Sequence, residues 1–142
     1  MMLAIFLTAA TFILSGALHY WIMSRFIRHA DRITLSPGSR LVLVLCISGI
    51  AHLSVVALYA ATYGAGLALH LGSFAELKPL RAMDVFYFSL VSYTSLGLGD
   101  IVPTGHLRLV AGVEALNGFL LISCSAAYLF LFMSHQGKDG AR

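Results

Sequence analysis

The charged residues of this chain are spaced so that long apolar runs stand between them. No charge falls between Met1 and Ser24 or between residues 41 and 75, and only Glu114 interrupts the run from Arg108 to Lys138. A helix needs about 20 apolar residues to cross roughly 30 Å of hydrocarbon, so each run predicts a spanning helix. The first covers Met2 to Met23, and the last begins near Leu107. A fourth run, Val85 to Gly99 between Asp84 and Asp100, is too short to cross and ends in glycines. It predicts a short helix that enters the membrane and returns as a loop.

Composition supports this pattern. The chain has 142 residues, 59% hydrophobic and 11% charged, with a mean hydropathy of +0.88, which excludes a soluble domain. Arg25, Arg28, Arg32 and Arg40 cluster between the first two spans, and Lys138 and Arg142 follow the third. The excess of positive charge predicts cytoplasmic loops there, with the N-terminus outside and the C-terminus cytoplasmic, in the plasma (cell inner) membrane. The segment from Glu76 to Arg108 then lies outside, where Lys78, Arg81 and Arg108 are offset by Glu76, Asp84 and Asp100. A signal-peptide reading of the first span is disfavoured, because it lacks a basic start and its positive flank lies on the C-terminal side.

Neither repeats nor long linkers divide the chain, so a single membrane domain is expected. Ser36-Pro37-Gly38 and Leu77-Lys78-Pro79-Leu80 have the turn chemistry of connections. Cys46 and Cys124 fall within apolar spans and are expected to be buried as small hydrophobes. His19, His29, His52, His70, His106 and His135 show no close ligand spacing, so no metal site is read from them. Of these, His70 and His106 are expected on the outer side, where a proton-dependent effect on the loop is the less favoured reading.

The stretch Asp84-Val-Phe-Tyr-Phe-Ser-Leu-Val-Ser-Tyr-Thr-Ser-Leu-Gly-Leu-Gly-Asp100, followed by Ile101-Val102-Pro103, resembles the pore helix and filter of the potassium-channel superfamily. The common Thr-Val-Gly-Tyr-Gly-Asp pattern is matched by Ser95-Leu96-Gly97-Leu98-Gly99-Asp100. The chemistry explains the residue types. A dehydrated potassium ion needs successive rings of oxygen, which backbone carbonyls supply when the chain alternates between right- and left-handed dihedrals. Gly97 and Gly99 permit that alternation, and the Ser95 hydroxyl adds an inner ring. A helix starting with Asp84 as N-cap would aim its negative C-terminal end at the pore.

The resemblance implies an all-α membrane protein with three transmembrane helices, a re-entrant pore helix and filter, and a homotetrameric pore in the lipid bilayer. Residues 1–40 would form the N-terminal helix and basic cytoplasmic loop, 41–134 the pore domain and 135–142 a short cytoplasmic tail. Thr94, Ser95, Leu96, Gly97, Leu98 and Gly99 would bind permeant K+, with ion sites at Ser95, Leu96, Gly97 and Leu98. Asp100, Tyr87, Phe88 and Glu114 would support the filter. Gly118 matches the gating hinge, with close helix packing as the other reading. Phe119, Ile122 and Ala126 match the cavity lining. No cofactor, nucleic-acid partner or catalysis is expected.

Departures from the pattern also carry expectations. Leu98 stands where the family usually has tyrosine or phenylalanine, so its contact with Tyr87 and Phe88 should be apolar. Val91 replaces an acidic residue found in some members, which removes one partner of Asp100. Glu114 and Asn117 are polar groups inside the membrane, and Glu114 is expected to bond the pore-helix backbone. The first span is additional to the minimal unit and is expected on the lipid-facing periphery. Lacking charge, it has no voltage-sensing character.

Three other readings compete. A weakly selective cation channel is the strongest, because of Leu98 and Ser95. A non-conducting membrane subunit is the second. Gly97-Leu98-Gly99-Asp100 also fits the Gly-x-Gly-Asp motif of intramembrane aspartyl proteases. That chemistry needs a second aspartate facing the first, whereas Asp31, Asp84 and Asp139 fall at loops or ends.

Overall fold

The computed structural model describes residues 1–30, 35–75 and 80–139, and the chain is an all-α membrane protein. Its helices are α1 (Met2–Ala30), α2 (Pro37–Ala68), α3 (Ala82–Tyr93) and α4 (Leu107–Asp139). Three are long and apolar enough to cross a bilayer, over Met2–Phe26, Pro37–Ala68 and Leu107–Ser134. The 12-residue α3 is the short helix predicted between the second and third spans. Arg32, Glu76, Lys78 and Arg142, and the Leu77-Lys78-Pro79 part of the outer turn, lie outside the described residues, as do the side chains of His29, His135, Lys138 and Asp139.

Helix ends depart from the expected loops. Arg25 and Arg28 sit on α1, where Arg28 Nε donates to the Ser24 carbonyl at 2.8 Å. Ser36-Pro37-Gly38 is a helix start rather than a free connecting turn. Ser36 caps α2 by accepting from the Ser39 N–H at 3.3 Å, and Pro37 takes the first helical position, where no N–H is needed. Arg40 therefore lies in the first turn of α2, with its guanidinium 5.5 Å from the Phe132 ring centroid on α4. The basic ends of α1 and α2 and the end of α4 share one side of the molecule.

The core between α2, α3 and α4 is built from Val55, Tyr59, Tyr63, Phe88, Tyr93 and Leu107, with Val56, Val85 and Val110. The Phe88 ring meets Tyr63 and Phe74 edge-on, at centroid distances of 5.2 and 5.0 Å. Such pairs add about 0.5–1.5 kcal/mol beyond burial. Leu107 packs against Gly66, where an added Cβ would lie 2.6 Å from its Cδ2.

Helix α1 lies against α2 and α4. Ala4, Thr8, Thr11, Ser15, His19 and Ile22 recur every three or four residues and are buried, while Phe6, Ile13 and Tyr20 face outward. The buried face is polar. Thr11 Oγ1 lies 2.9 Å from Thr62 Oγ1, Asn117 Nδ2 donates to Ser15 Oγ, and His19 Nε2 lies 3.1 Å from Ser125 Oγ. In lipid, where apolar burial between helices contributes little, small residues and such bonds hold helices together.

Past α2 the chain turns through His70 and runs antiparallel to the segment after the loop. Thr104 N–H donates to Ser73 at 2.7 Å, His106 to Leu71 at 2.9 Å, and Ala75 to Val102 at 2.8 Å. Gly72 and Gly105 permit this approach. A Cβ on Gly72 would overlap the Thr104 carbonyl, and Gly105 has a φ of 59°. The far end of the loop is thereby pinned to the end of α2.

Candidate functional site

The loop from Thr94 to Asp100 follows directly on α3, and its residues are all exposed on the chain. α3 starts two residues before the expected cap. Arg81 is the N-cap and Asp84 is the third helical residue, its carboxylate accepting from the Arg81 N–H at 2.8 Å while its own N–H donates to the Arg81 carbonyl. A carboxylate in the first turn serves the helix dipole as well there as at the cap. At the other end, Thr94 caps with its N–H on Leu90 at 3.1 Å and its hydroxyl on the same carbonyl at 2.9 Å.

Beyond Thr94 the backbone alternates in hand. Ser95 has φ 57°, Gly97 57° and Gly99 77°, with no positive φ at Leu96 or Leu98. Glycine at 97 and 99 made part of this legible. Nothing in the sequence signals Ser95 in the left-handed region, which costs a residue with a side chain about 1–2 kcal/mol. The turn is held from below, where the Leu96 N–H donates to the Val91 carbonyl at 3.0 Å and the Ser95 N–H to Ser92 at 2.9 Å. Among the described residues, no backbone N–H pairs with a carbonyl of residues 95–99. A row of oxygens is thus left uncommitted within the chain.

The wall behind the loop is dense and polar where it must be. Glu114 is fully buried, with Oε2 accepting from the Tyr63 hydroxyl and Oε1 from the Ser89 hydroxyl, each at 2.5 Å. The expected bond to the pore-helix backbone is not made. Ser89 supplies its side chain instead, because its backbone is already committed to the helix, and the same hydroxyl lies 2.9 Å from the Val56 carbonyl. Ser92 Oγ adds a bond to the Ala111 carbonyl at 3.2 Å. Gly118 sits against the last residue of α3, so a Cβ there would overlap the Tyr93 carbonyl. Asn117 beside it also bonds the Tyr59 hydroxyl at 3.0 Å, and with Ser15 that ties α1, α2 and α4 together.

At the far end of the loop, Asp100 does have a partner. The Tyr87 hydroxyl donates to its carboxylate at 2.8 Å, and the Ile101 N–H follows at 3.1 Å. The bond to Asp100 holds the Tyr87 phenol above its ordinary pKa, so it remains a donor. Phe88 is in the core, whereas Leu98 is 57% exposed on the chain. Phe119, Ile122 and Ala126 lie on an exposed face of α4. Cys46 and Cys124 are also exposed on the chain, contrary to expectation, because each falls on the outward side of its helix.

Sequence spacing missed two arrangements. His19 and His52, on different helices, bring their rings to 4.9 Å, and His52 Nδ1 lies 2.7 Å from the Tyr93 hydroxyl. The only sequence signal was the recurrence of Thr11, Ser15 and His19 at intervals of four on an otherwise apolar helix. Among the described residues, no group of three or more His, Cys, Asp or Glu is placed to hold a metal ion.

Three spanning helices around a short re-entrant helix and a glycine-bearing loop define a pore-loop membrane protein. The family model described as "Ion channel" matches residues 40–135, and the chain belongs to that family, its two-transmembrane pore unit preceded by the additional helix α1. Membership supports an ion-channel role. No curated protein and no solved structure matches the chain.

Proposed function

We propose that the chain forms a homotetrameric, potassium-selective channel that conducts K+ passively across the plasma membrane. Its filter is Thr94, Ser95, Leu96, Gly97, Leu98 and Gly99, with ions held by carbonyls of Ser95, Leu96, Gly97 and Leu98 and by the Ser95 hydroxyl. The observation that carries this reading is the alternation of φ at Ser95, Gly97 and Gly99 together with the unpaired carbonyls of the same segment. A backbone at membrane depth keeps such oxygens only where it lines a water-filled path or is enclosed by protein. Four copies around an axis turn one uncommitted row into stacked rings. The same arrangement puts the exposed Phe119, Ile122 and Ala126 on the inner cavity.

The placement of Arg25, Arg28 and Arg40 at one end supports a cytoplasmic C-terminus and an outer N-terminus. Residues 41–134 then act as the pore domain and 1–40 as its added helix and connection. Glu114 and Tyr87 keep supporting roles, the first behind the filter and the second on Asp100.

A weakly selective cation channel is favoured by one observation, the exposed Leu98, which has no hydroxyl to brace the filter. Liposomes holding the purified chain decide between the readings. Potassium and rubidium should pass and sodium should be retained, with a mass in mild detergent of four chains. Equal sodium and potassium flux supports the second reading, and no flux from an assembled tetramer overturns both.

A further inference from the structure

We propose that His52, braced by His19, is a positioning residue for the filter, acting through Tyr93. The inference rests on reading residues 94–99 as the filter.

Tyr93 is the last residue of α3 and immediately precedes Thr94, so any shift of Tyr93 moves the inner end of the loop. Its backbone is fixed from one side, where the carbonyl meets Gly118. Its side chain is 1% exposed, and the hydroxyl lies 2.7 Å from His52 Nδ1, with the two rings 5.8 Å apart. A buried hydroxyl is expensive to leave unpaired, which makes this bond the restraint on the ring. His52 is restrained in turn. Its ring lies 4.9 Å from that of His19 and is tilted by 42°, and His19 Nε2 lies 3.1 Å from Ser125 Oγ on α4.

Four helices therefore contribute one side chain each to a connected chain, Ser125–His19–His52–Tyr93. Its far end lies seven residues beyond Gly118 on α4, and its near end is the foot of the filter. This gives the added helix α1 a role that periphery alone does not. Through His19 it holds the imidazole that holds Tyr93.

The test uses the full chain in liposomes, with the sodium-to-potassium permeability ratio taken from reversal potentials. His52→Leu should raise that ratio at least threefold, His52→Asn, whose amide stands where Nδ1 meets the hydroxyl, should return it to within twofold of the parent, and Tyr93→Phe should resemble His52→Leu. Because both act through one bond, the double variant His52→Leu with Tyr93→Phe should be no worse than either alone. His19→Leu should raise the ratio less than His52→Leu. If His52→Leu does not insert or assemble, Tyr93→Phe carries the comparison, since it keeps the ring and removes only the hydroxyl. A selective parent whose His52→Leu and Tyr93→Phe forms keep the parent ratio overturns this inference alone. So does a His52→Asn form as impaired as His52→Leu, which would make ring packing the whole effect. A parent that does not distinguish sodium from potassium overturns the filter reading and this inference with it.

Discussion

Behind α3, polar groups find partners within one chain; in front of it, among the described residues, the carbonyls of residues 95–99 have no backbone donor. On the buried side, Glu114, Tyr63 and Ser89 satisfy one another at 2.5 Å, and Phe88 closes the gap between Tyr63 and Phe74. On the other side, residues 94–100 are exposed, Leu96 by 64% and Leu98 by 57%, and the carbonyls of 95–99 have no backbone donor among the described residues. The same 12-residue helix carries both surfaces. A single chain can complete a wall, because a carboxylate and two hydroxyls suffice, but encircling an ion needs oxygens from several directions. The wall is thus a property of the fold, and the filter a property of the proposed assembly.

The sharpest way to break this contrast is at the glycines. Beyond the flanking residues, nothing described in the chain lies within 4 Å of where a Cβ on Gly97 or Gly99 would stand. Gly97→Ala or Gly99→Ala should therefore leave the wall and the fold intact. The left-handed conformation costs about 1–2 kcal/mol per copy, and the carbonyl row should turn away to relieve it. Rubidium uptake into liposomes should fall to background while insertion and assembly mass stay unchanged. Parent-level uptake would remove these residues from the conduction path.

Next in size is the wall itself. Glu114→Ala removes the acceptor of the Tyr63 hydroxyl, at about 1–3 kcal/mol, and leaves Ser89 with its bond to the Val56 carbonyl. Thermal unfolding in detergent should show a large loss of stability, whereas Glu114→Gln, which keeps the shape and part of the bonding, should lose less. If the alanine form melts with the parent, the carboxyl is not bracing α3.

Gly118→Ala should also be harmful, because its Cβ would enter the Tyr93 carbonyl, and overpacking of this kind typically costs about 1–3 kcal/mol. Gly112→Ala, on the same helix with nothing within 4 Å, is the control and should be tolerated. Equal melting of the two forms would mean that α4 does not seat on α3 as closely as Gly118 implies. Close packing at 118 does not exclude a hinge, since a bend there would also have to part α4 from α3.

The pattern of charge gaps and the glycine pair carried most of the fold and the loop. Three spans and a short helix follow from run lengths alone, because a bilayer imposes a minimum apolar length that leaves few alternatives. Partners were harder to read. Nothing local tells Asp100 that its donor is Tyr87 thirteen residues earlier, or Glu114 that hydroxyls rather than backbone will meet it. The polar face of α1 was visible as Thr11, Ser15 and His19, yet serines and threonines can also bond their own helix, as Thr11 does to Leu7 at 2.8 Å. Only the packing of α1 on α2 and α4 shows that the same groups reach Thr62, Asn117 and Ser125.

The smallest expected effect is at Leu98, the residue that departs most from the family pattern. Restoring a tyrosine there raises the question of what its hydroxyl would bond. Replacing Phe88 by tryptophan to supply a donor is a poor choice, since Phe88 already fills the space between Tyr63 and Phe74 and a larger ring would overpack it. Leu98→Tyr alone is the cleaner change, because position 98 is 57% exposed and the ring meets no crowded core in its own chain. Its hydroxyl would have to find water or another copy. A net hydrogen bond contributes about 0.5–1.5 kcal/mol, which corresponds to roughly a two- to twelvefold change in an equilibrium between ordered and collapsed filters. The sodium-to-potassium permeability ratio of Leu98→Tyr should therefore fall by about twofold or more, with Leu98→Phe, which adds the ring without the hydroxyl, showing less. Equal ratios for the parent and both variants would mean that residue 98 is braced by packing alone. Rigidity of the proposed filter would then depend on the bonds this chain already makes to it at Tyr93, at Ser95 and Leu96, and at Asp100.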